Sequence, residues 1–120
     1  MKIIVTAEGP DLESAVDPRF GRAAFYILVD TENMKHVALD NERGRTSQQG
    51  AGVQAAQRVA DTGAEALLTG HCGPKAHQTL SAAGIKVYSN QSGSVQDAVE
   101  RLVRGEVAPS TKADVEGHWQ

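Results

Sequence analysis

The sequence predicts an α/β domain, a five-stranded mixed sheet built in the order β-β-β-α-β-α-β-α with helices on both faces. Three observations carry that prediction. The chain opens on a β-branched apolar run, Lys2-Ile3-Ile4-Val5-Thr6-Ala7. Two more strand-like runs follow, separated by only a short turn at Thr31-Glu32-Asn33 and therefore paired as a hairpin. From residue 52 onward, short apolar runs alternate with stretches whose apolar residues recur at helical spacing. Crossovers through a helix join parallel strands, so the first, fourth and fifth strands run parallel and the second runs against the first.

Successive apolar positions in the first strand suit a central place in the sheet, covered on both faces. Glu8 to Arg22 is a long loop with Gly9-Pro10 and Asp17-Pro18 as turn signals. Ala23–Asp30 and Lys35–Asp40 are the hairpin strands, and the polar, charged stretch Asn41 to Gln49 reads as a mobile loop. A helix from Gly52 to Asp61 buries Val53, Ala56, Val59 and Ala60, and Gly63 ends it. Ala64–Thr69 is the fourth strand. Pro74 fits the first turn of the next helix, where its missing N–H has no helical partner to lose. Ala76, Leu80 and Ala83 form that helix's apolar face, Gly84 closes it, and Ile85–Tyr88 is the last strand. Ser94 caps a third helix striped by Val95, Ala98, Val99, Leu102 and Val103, which Gly105 ends. One domain therefore spans residues 1–105. Residues 106–120, polar and without periodicity, form a flexible C-terminal tail that carries Trp119.

In this topology the segments 8–22, 41–51, 70–74 and 89–94 emerge together at the carboxyl edge of the parallel strands, where open α/β sheets bind ligands. The edge collects Arg19, Phe20, Arg22, Arg43, Arg45, His71, Cys72, Lys75 and His77. The chain carries a net charge of -3, yet this rim is locally basic. Gly70 and Gly73 leave backbone amides uncovered where a helix begins, and a helix N-terminus favours an anion.

Composition removes several alternatives. A chain of 120 residues makes one domain that buries a core without disulfides or metal. An acidic balance argues against a general nucleic-acid binder. The single cysteine excludes an intramolecular disulfide and a four-thiolate metal site. The N-terminal apolar run is too short for a signal peptide and no span is long enough to cross a membrane, so the expected location is cytoplasmic.

Three motifs in fixed order are Asp17-Pro18-Arg19-Phe20-Gly21-Arg22-Ala23, Gly50-Ala51-Gly52-Val53-Gln54-Ala55-Ala56 and Gly70-His71-Cys72-Gly73-Pro74-Lys75-Ala76. With them the chain resembles, over roughly residues 1–105, the dinitrogenase iron–molybdenum cofactor biosynthesis family. The resemblance implies a ribonuclease H-like three-layer fold. It also implies non-catalytic carriage of an anionic metal–sulfur cluster, of the molybdenum–copper sulfide or the iron–molybdenum type. The partners implied are that inorganic cluster and proteins that donate or accept it, ATPases among them, with no nucleic acid and no membrane. Its expected cofactor contacts are Arg19, Phe20, Arg22, Arg45, Gly70, Gly73 and Lys75, and the candidate metal ligands are His71, Cys72 and His77. A cluster that brings its own sulfides needs amide donors, guanidinium groups and a water-excluding lining rather than protein thiolates.

Plainer roles attach to the same residues. Gly70, Gly73 and Pro74 also suit an ordinary strand-to-helix turn, Cys72 a small apolar filler, and His77 an exposed helical position. Arg43 and Arg45 also read as solvated loop charges. An exposed Phe20 between two arginines suits docking of a protein partner, which makes an interaction or regulatory module the alternative function. A cysteine- or metal-dependent hydrolase fits less well. Two-metal phosphoryl transfer needs converging carboxylates, whereas Glu8 and Asp11 lie beyond the first strand and His71-Cys72 occupies the central turn. A Cys72 nucleophile beside His71 or His77 has no third residue to orient the base.

Overall fold

The computed structural model describes residues 1–42 and 50–110. Its strands are β1 (Lys2–Ala7), β2 (Phe25–Asp30), β3 (His36–Asp40), β4 (Ala66–Leu68) and β5 (Lys86–Tyr88). Among the described residues the helices treated below are α1 (Ala51–Asp61) and α2 (Pro74–Ala82), which flank β4, and α3 (Val95–Val103), which follows β5. The strands lie in the order β3-β2-β1-β4-β5. The β1 strand runs antiparallel to β2 and parallel to β4, and β4 runs parallel to β5. This is the predicted mixed sheet.

The alternation of side chains across β1 divides the core in two. Ile4 joins Tyr26, Leu67 and Val87 on one face, under Ala55, Ala56 and Val59 of α1 and Ala76 and Leu80 of α2. Ile3, Val5 and Ala7 join Ile27, Val29, Ala66 and Leu68 on the other, under Val95, Ala98 and Val99 of α3. Removing each such aliphatic side chain from water contributes about 1.5–3 kcal/mol, which is why the central strand is apolar at consecutive positions. Two helices, sheet and one helix make the three layers of a ribonuclease H-like fold.

Some boundaries differ from expectation for identifiable reasons. The β2 strand begins at Phe25 rather than Ala23, because the Ala24 N–H donates to Asp17 Oδ2 (3.2 Å) and the Ala23 carbonyl accepts from Asn41 Nδ2 (2.8 Å). The β3 strand begins at His36 because Met34 turns with φ 59° and the Lys35 N–H donates to the Asn33 side chain. Part of the expected tail is tied to the domain. The Glu106 N–H donates to the Arg101 carbonyl, Val107 packs against the α3-side core, and the Ser110 N–H donates to the Val87 carbonyl (2.6 Å). Residues 111–120 with Trp119, and Arg43 and Arg45, lie outside the described residues. Among the described residues no helix is long and apolar enough to cross a membrane.

Candidate functional site: a concavity between two helix N-termini

The loop after β1 is held by its own acid. Asp17 is 1 % exposed, and its carboxylate accepts from the Arg19 backbone N–H (3.0 Å), from Arg19 Nε (3.3 Å) and from the Ala24 N–H (3.2 Å). Each such hydrogen bond to a carboxylate contributes more than a neutral one. The hydrogen bond from Arg19 and the adjacent charge of Asp17 raise the Arg19 pKa above its ordinary value. Thr6 anchors the loop to the sheet, its hydroxyl donating to the Asp17 carbonyl (2.8 Å) and lying 2.9 Å from the Thr69 hydroxyl. Phe20 folds inward, 2 % exposed, with its ring 5.8 Å from that of Tyr26. The Tyr26 hydroxyl donates to the Phe20 carbonyl (2.6 Å) and accepts from Asn41 (3.0 Å). Burial pushes the Tyr26 hydroxyl well above its ordinary pKa, with Arg58 opposing.

This loop is stitched to the turn after β4. The His71 N–H donates to the Pro18 carbonyl (2.7 Å) and the Phe20 N–H donates to the His71 carbonyl (3.1 Å), a parallel bridge across more than fifty residues of chain. Gly70 is required by the approach. A Cβ there would stand 2.5 Å from the Pro18 Cα and 2.7 Å from its carbonyl oxygen, both backbone atoms. On the loop's other side a Cβ on Gly21 would meet the Gly52 nitrogen at 2.7 Å. The loop is thus wedged between the start of α1 and the turn before α2.

The result is a concavity of about 320 Å³ lined by Phe20, Gly21, Gly50, Gly52, Val53, His71, Gly73, Pro74, Lys75 and Ala76. Both helices that reach it start without a side-chain cap and with no acidic residue in the first turn. The N-cap of α1 is Gly50, at φ 72°, a left-handed conformation that glycine adopts without strain. The backbone N–H groups of Gly52, Val53, Lys75 and Ala76 find no acceptor among the described residues. Open amides, two helix dipoles and an exposed lysine give this hollow a positive character although the chain is acidic.

The candidates from the sequence divide into three groups. Phe20, His71, Gly73 and Lys75 line the hollow, and Gly70 supports it from behind. Arg19 and Arg22 lie on the adjoining loop, outside the lining; Arg19 Nε donates to Asp17 at 3.3 Å while its side chain remains 63 % exposed. Cys72 and His77 sit in the interior. Cys72 is 0 % exposed in the cluster with Phe20, Ala76 and Leu80, so its sulfur faces the core and not the rim. His77, expected on an exposed surface, is buried, with Nδ1 3.4 Å from the Ser81 hydroxyl and Nε2 without a partner among the described residues. Phe20 is likewise not the exposed aromatic that partner docking requires. Arg45 lies outside the described residues. Gly52 and Val53, part of the second motif but not among the expected contacts, also line the hollow, and two glycines bracketing a helix start are the signal that points to them. Among the described residues no three His, Cys, Asp or Glu side chains converge to hold a metal ion.

Comparison with known proteins agrees with this architecture. Residues 1–105 match the family model for the dinitrogenase iron–molybdenum cofactor. The apo form of the orange protein from Desulfovibrio gigas is 47 % identical, with 94 % of this chain and 95 % of that one covered and a TM-score of 0.91. A Thermotoga protein of the DUF35 family is 33 % identical over 97 % of this chain and 98 % of its own, with a TM-score of 0.82. An uncharacterized protein of Methanocaldococcus jannaschii is 27 % identical over 94 residues, 77 % of this chain and 80 % of its own length. The fold, the matched span and the identity to the orange protein establish that the chain belongs to the dinitrogenase iron–molybdenum cofactor family.

Proposed function

We propose that the protein carries an anionic metal–sulfur cluster as cargo, without catalysing a reaction on it, in the hollow between the N-termini of α1 and α2. One observation carries the proposal: two helix N-termini, both uncapped and free of first-turn acids, meet at one lined concavity. Family membership and the likeness to the orange protein support it. The cargo proposed is a molybdenum-containing sulfide cluster, with copper or iron as its second metal.

The chemistry of the lining fits a preassembled cluster better than a bare ion. Sulfides already bound to metal present diffuse negative charge and need donors, which the amides of Gly52, Val53, Lys75 and Ala76 and the Lys75 ammonium supply. Each hydrogen bond to a charged group contributes about 1.5–3 kcal/mol. Phe20, Val53 and Pro74 form an apolar wall that displaces water and strengthens those contacts. His71 is the exposed imidazole at the margin, while the buried Cys72 and His77 support the turn from within. The partners such a carrier requires are cluster donors and acceptors, ATPases among them, meeting this rim in the cytoplasm.

Titration with tetrathiomolybdate and copper(I) tests the assignment. Visible absorbance that travels with the protein, together with amide shifts at Gly52, Val53, Lys75 and Ala76, is the expected result. Gly73→Asp sharpens it. Gly73 has φ -70° and ψ 168°, and a Cβ there meets nothing within 4 Å, so an aspartate serves as a good N-cap. Its carboxylate occupies the α2 amides and repels the cargo, so binding weakens at least about tenfold while stability holds or rises by a few tenths of a kcal/mol. Unchanged binding in this variant, or amide shifts confined to another surface, refutes the assignment.

A further inference from the structure

The two edges of the sheet are treated differently. At β5 the Ser110 N–H donates to the Val87 carbonyl, so the chain itself covers part of that edge. The β3 edge has no such cover among the described residues. Hydrogen bonds at both ends of the hairpin, Asp30 N–H to the Lys35 carbonyl and Asn41 N–H to the Ala24 carbonyl, fix the phase of the ladder. Val37 and Leu39 therefore bond inward to β2, while His36, Ala38 and Asp40 turn their N–H and C=O groups outward. Val37 is 57 % exposed, beside an open cleft of about 470 Å³ that Leu28 also lines. An edge with an exposed β-branched residue and outward-facing backbone groups is a template for another strand.

We infer that this edge pairs with the same edge of a second copy of the chain, antiparallel and in the register that sets Ala38 opposite the partner's Ala38. The edge is self-complementary in that register. The outward-bonding residues are spaced symmetrically about Ala38, so all of them find partners at once. His36 stands opposite the partner's Asp40, and Asp40 opposite the partner's His36, which sets an imidazole N–H donor against a carboxylate across the strand pair twice. On the other face Val37 meets the partner's Leu39, burying the exposed apolar position. A shift of two residues in either direction sets His36 away from the partner's Asp40 and loses the match. The contact is a two-fold, isologous one and so closes as a dimer. The concavities of the two copies then lie at opposite ends of a continuous sheet, so each copy keeps its own site and this inference stands apart from the proposed cargo.

Sedimentation of the full chain over about a hundredfold range of concentration reads the equilibrium. A monomer–dimer transition is expected. His36→Asp faces like charges and weakens association at least about tenfold, and adding Asp40→Lys restores it. Ala38→Cys places two thiols across a hydrogen-bonded pair with Cα atoms about 5.5 Å apart. Mild oxidation with oxidised glutathione then cross-links them, whereas Glu32→Cys, on the turn, is not cross-linked. Circular dichroism checks that each variant is folded. A chain that stays monomeric throughout, or a dimer indifferent to both the charge swap and the cross-link, overturns the inference.

Discussion

The helices α1, α2 and α3 begin at the carboxyl edge of one sheet, and their first turns are finished in opposite ways. On the α3 side every donor is taken. The Val95 N–H donates to the Ser14 carbonyl, the Gln96 N–H to the Leu12 carbonyl, and the Asp97 N–H to the Ser94 hydroxyl at 3.0 Å. An acidic residue, Asp97, already sits in that first turn. On the α1 and α2 side there is no capping side chain, no acid, and glycine at both N-cap positions. Orphan amides cost free energy unless something satisfies them. Among the described residues one helix end is thoroughly capped, and two neighbouring ends have no side-chain cap. The loop 8–22 serves both sides: its first half closes α3, and its second half walls the hollow.

Three perturbations press on this contrast. The largest effect is expected from Gly70→Ala, which drives a methyl into the Pro18 backbone and breaks the stitch between the two loops. Overpacking against backbone predicts a loss of about 3 kcal/mol in denaturant unfolding. An unchanged midpoint means that the wall of the hollow is not held in this way. Tyr26→Phe comes next, at about 1.5 kcal/mol, because it removes a buried hydroxyl that bonds the Phe20 carbonyl and Asn41. The same hydroxyl carries a pH signature. Its pKa is raised in the folded state by burial, so the folded chain holds the proton more tightly than the unfolded one. Its contribution is complete below the unfolded value near 10 and is lost as pH rises beyond it, at no more than about 1.4 kcal/mol per pH unit. That part of the alkaline slope is absent from Tyr26→Phe, and an identical slope in both proteins contradicts the burial argument. The smallest effect, about 1 kcal/mol, is expected from Ser94→Ala, which uncaps α3. Cluster uptake stays as it was, because the loop still covers that helix start. Altered uptake in Ser94→Ala breaks the distinction between closed and open ends.

Much of the fold is legible in the sequence because its signals are local. A β-branched run, a three-residue turn, Pro74 at a helix start, and Ser94 three residues ahead of the backbone N–H it caps all act within a few residues. The order of elements and the handedness of crossovers then dictate which loops share an edge. Of the residues gathered at that edge, Phe20, His71, Gly73 and Lys75 line one concavity. The states of individual side chains were not legible in this way. A helical position such as His77 is buried or exposed according to how α2 is rotated about its axis, and weakly patterned sequences leave that rotation open. By residue type alone Cys72 suits a core filler more readily than a ligand, and only the packing of Phe20 and Leu80 around it shows its burial.

By itself, then, the amino-acid sequence determined the layers, the strand directions and the edge at which the connecting loops gather, since periodicity and turn chemistry are properties of neighbours along the chain. Tertiary structure alone decided that His77 and Cys72 face inward and that Pro18 and His71 are hydrogen-bonded. Those outcomes depend on which distant segments touch, and a contact between residues far apart in sequence leaves no period to read.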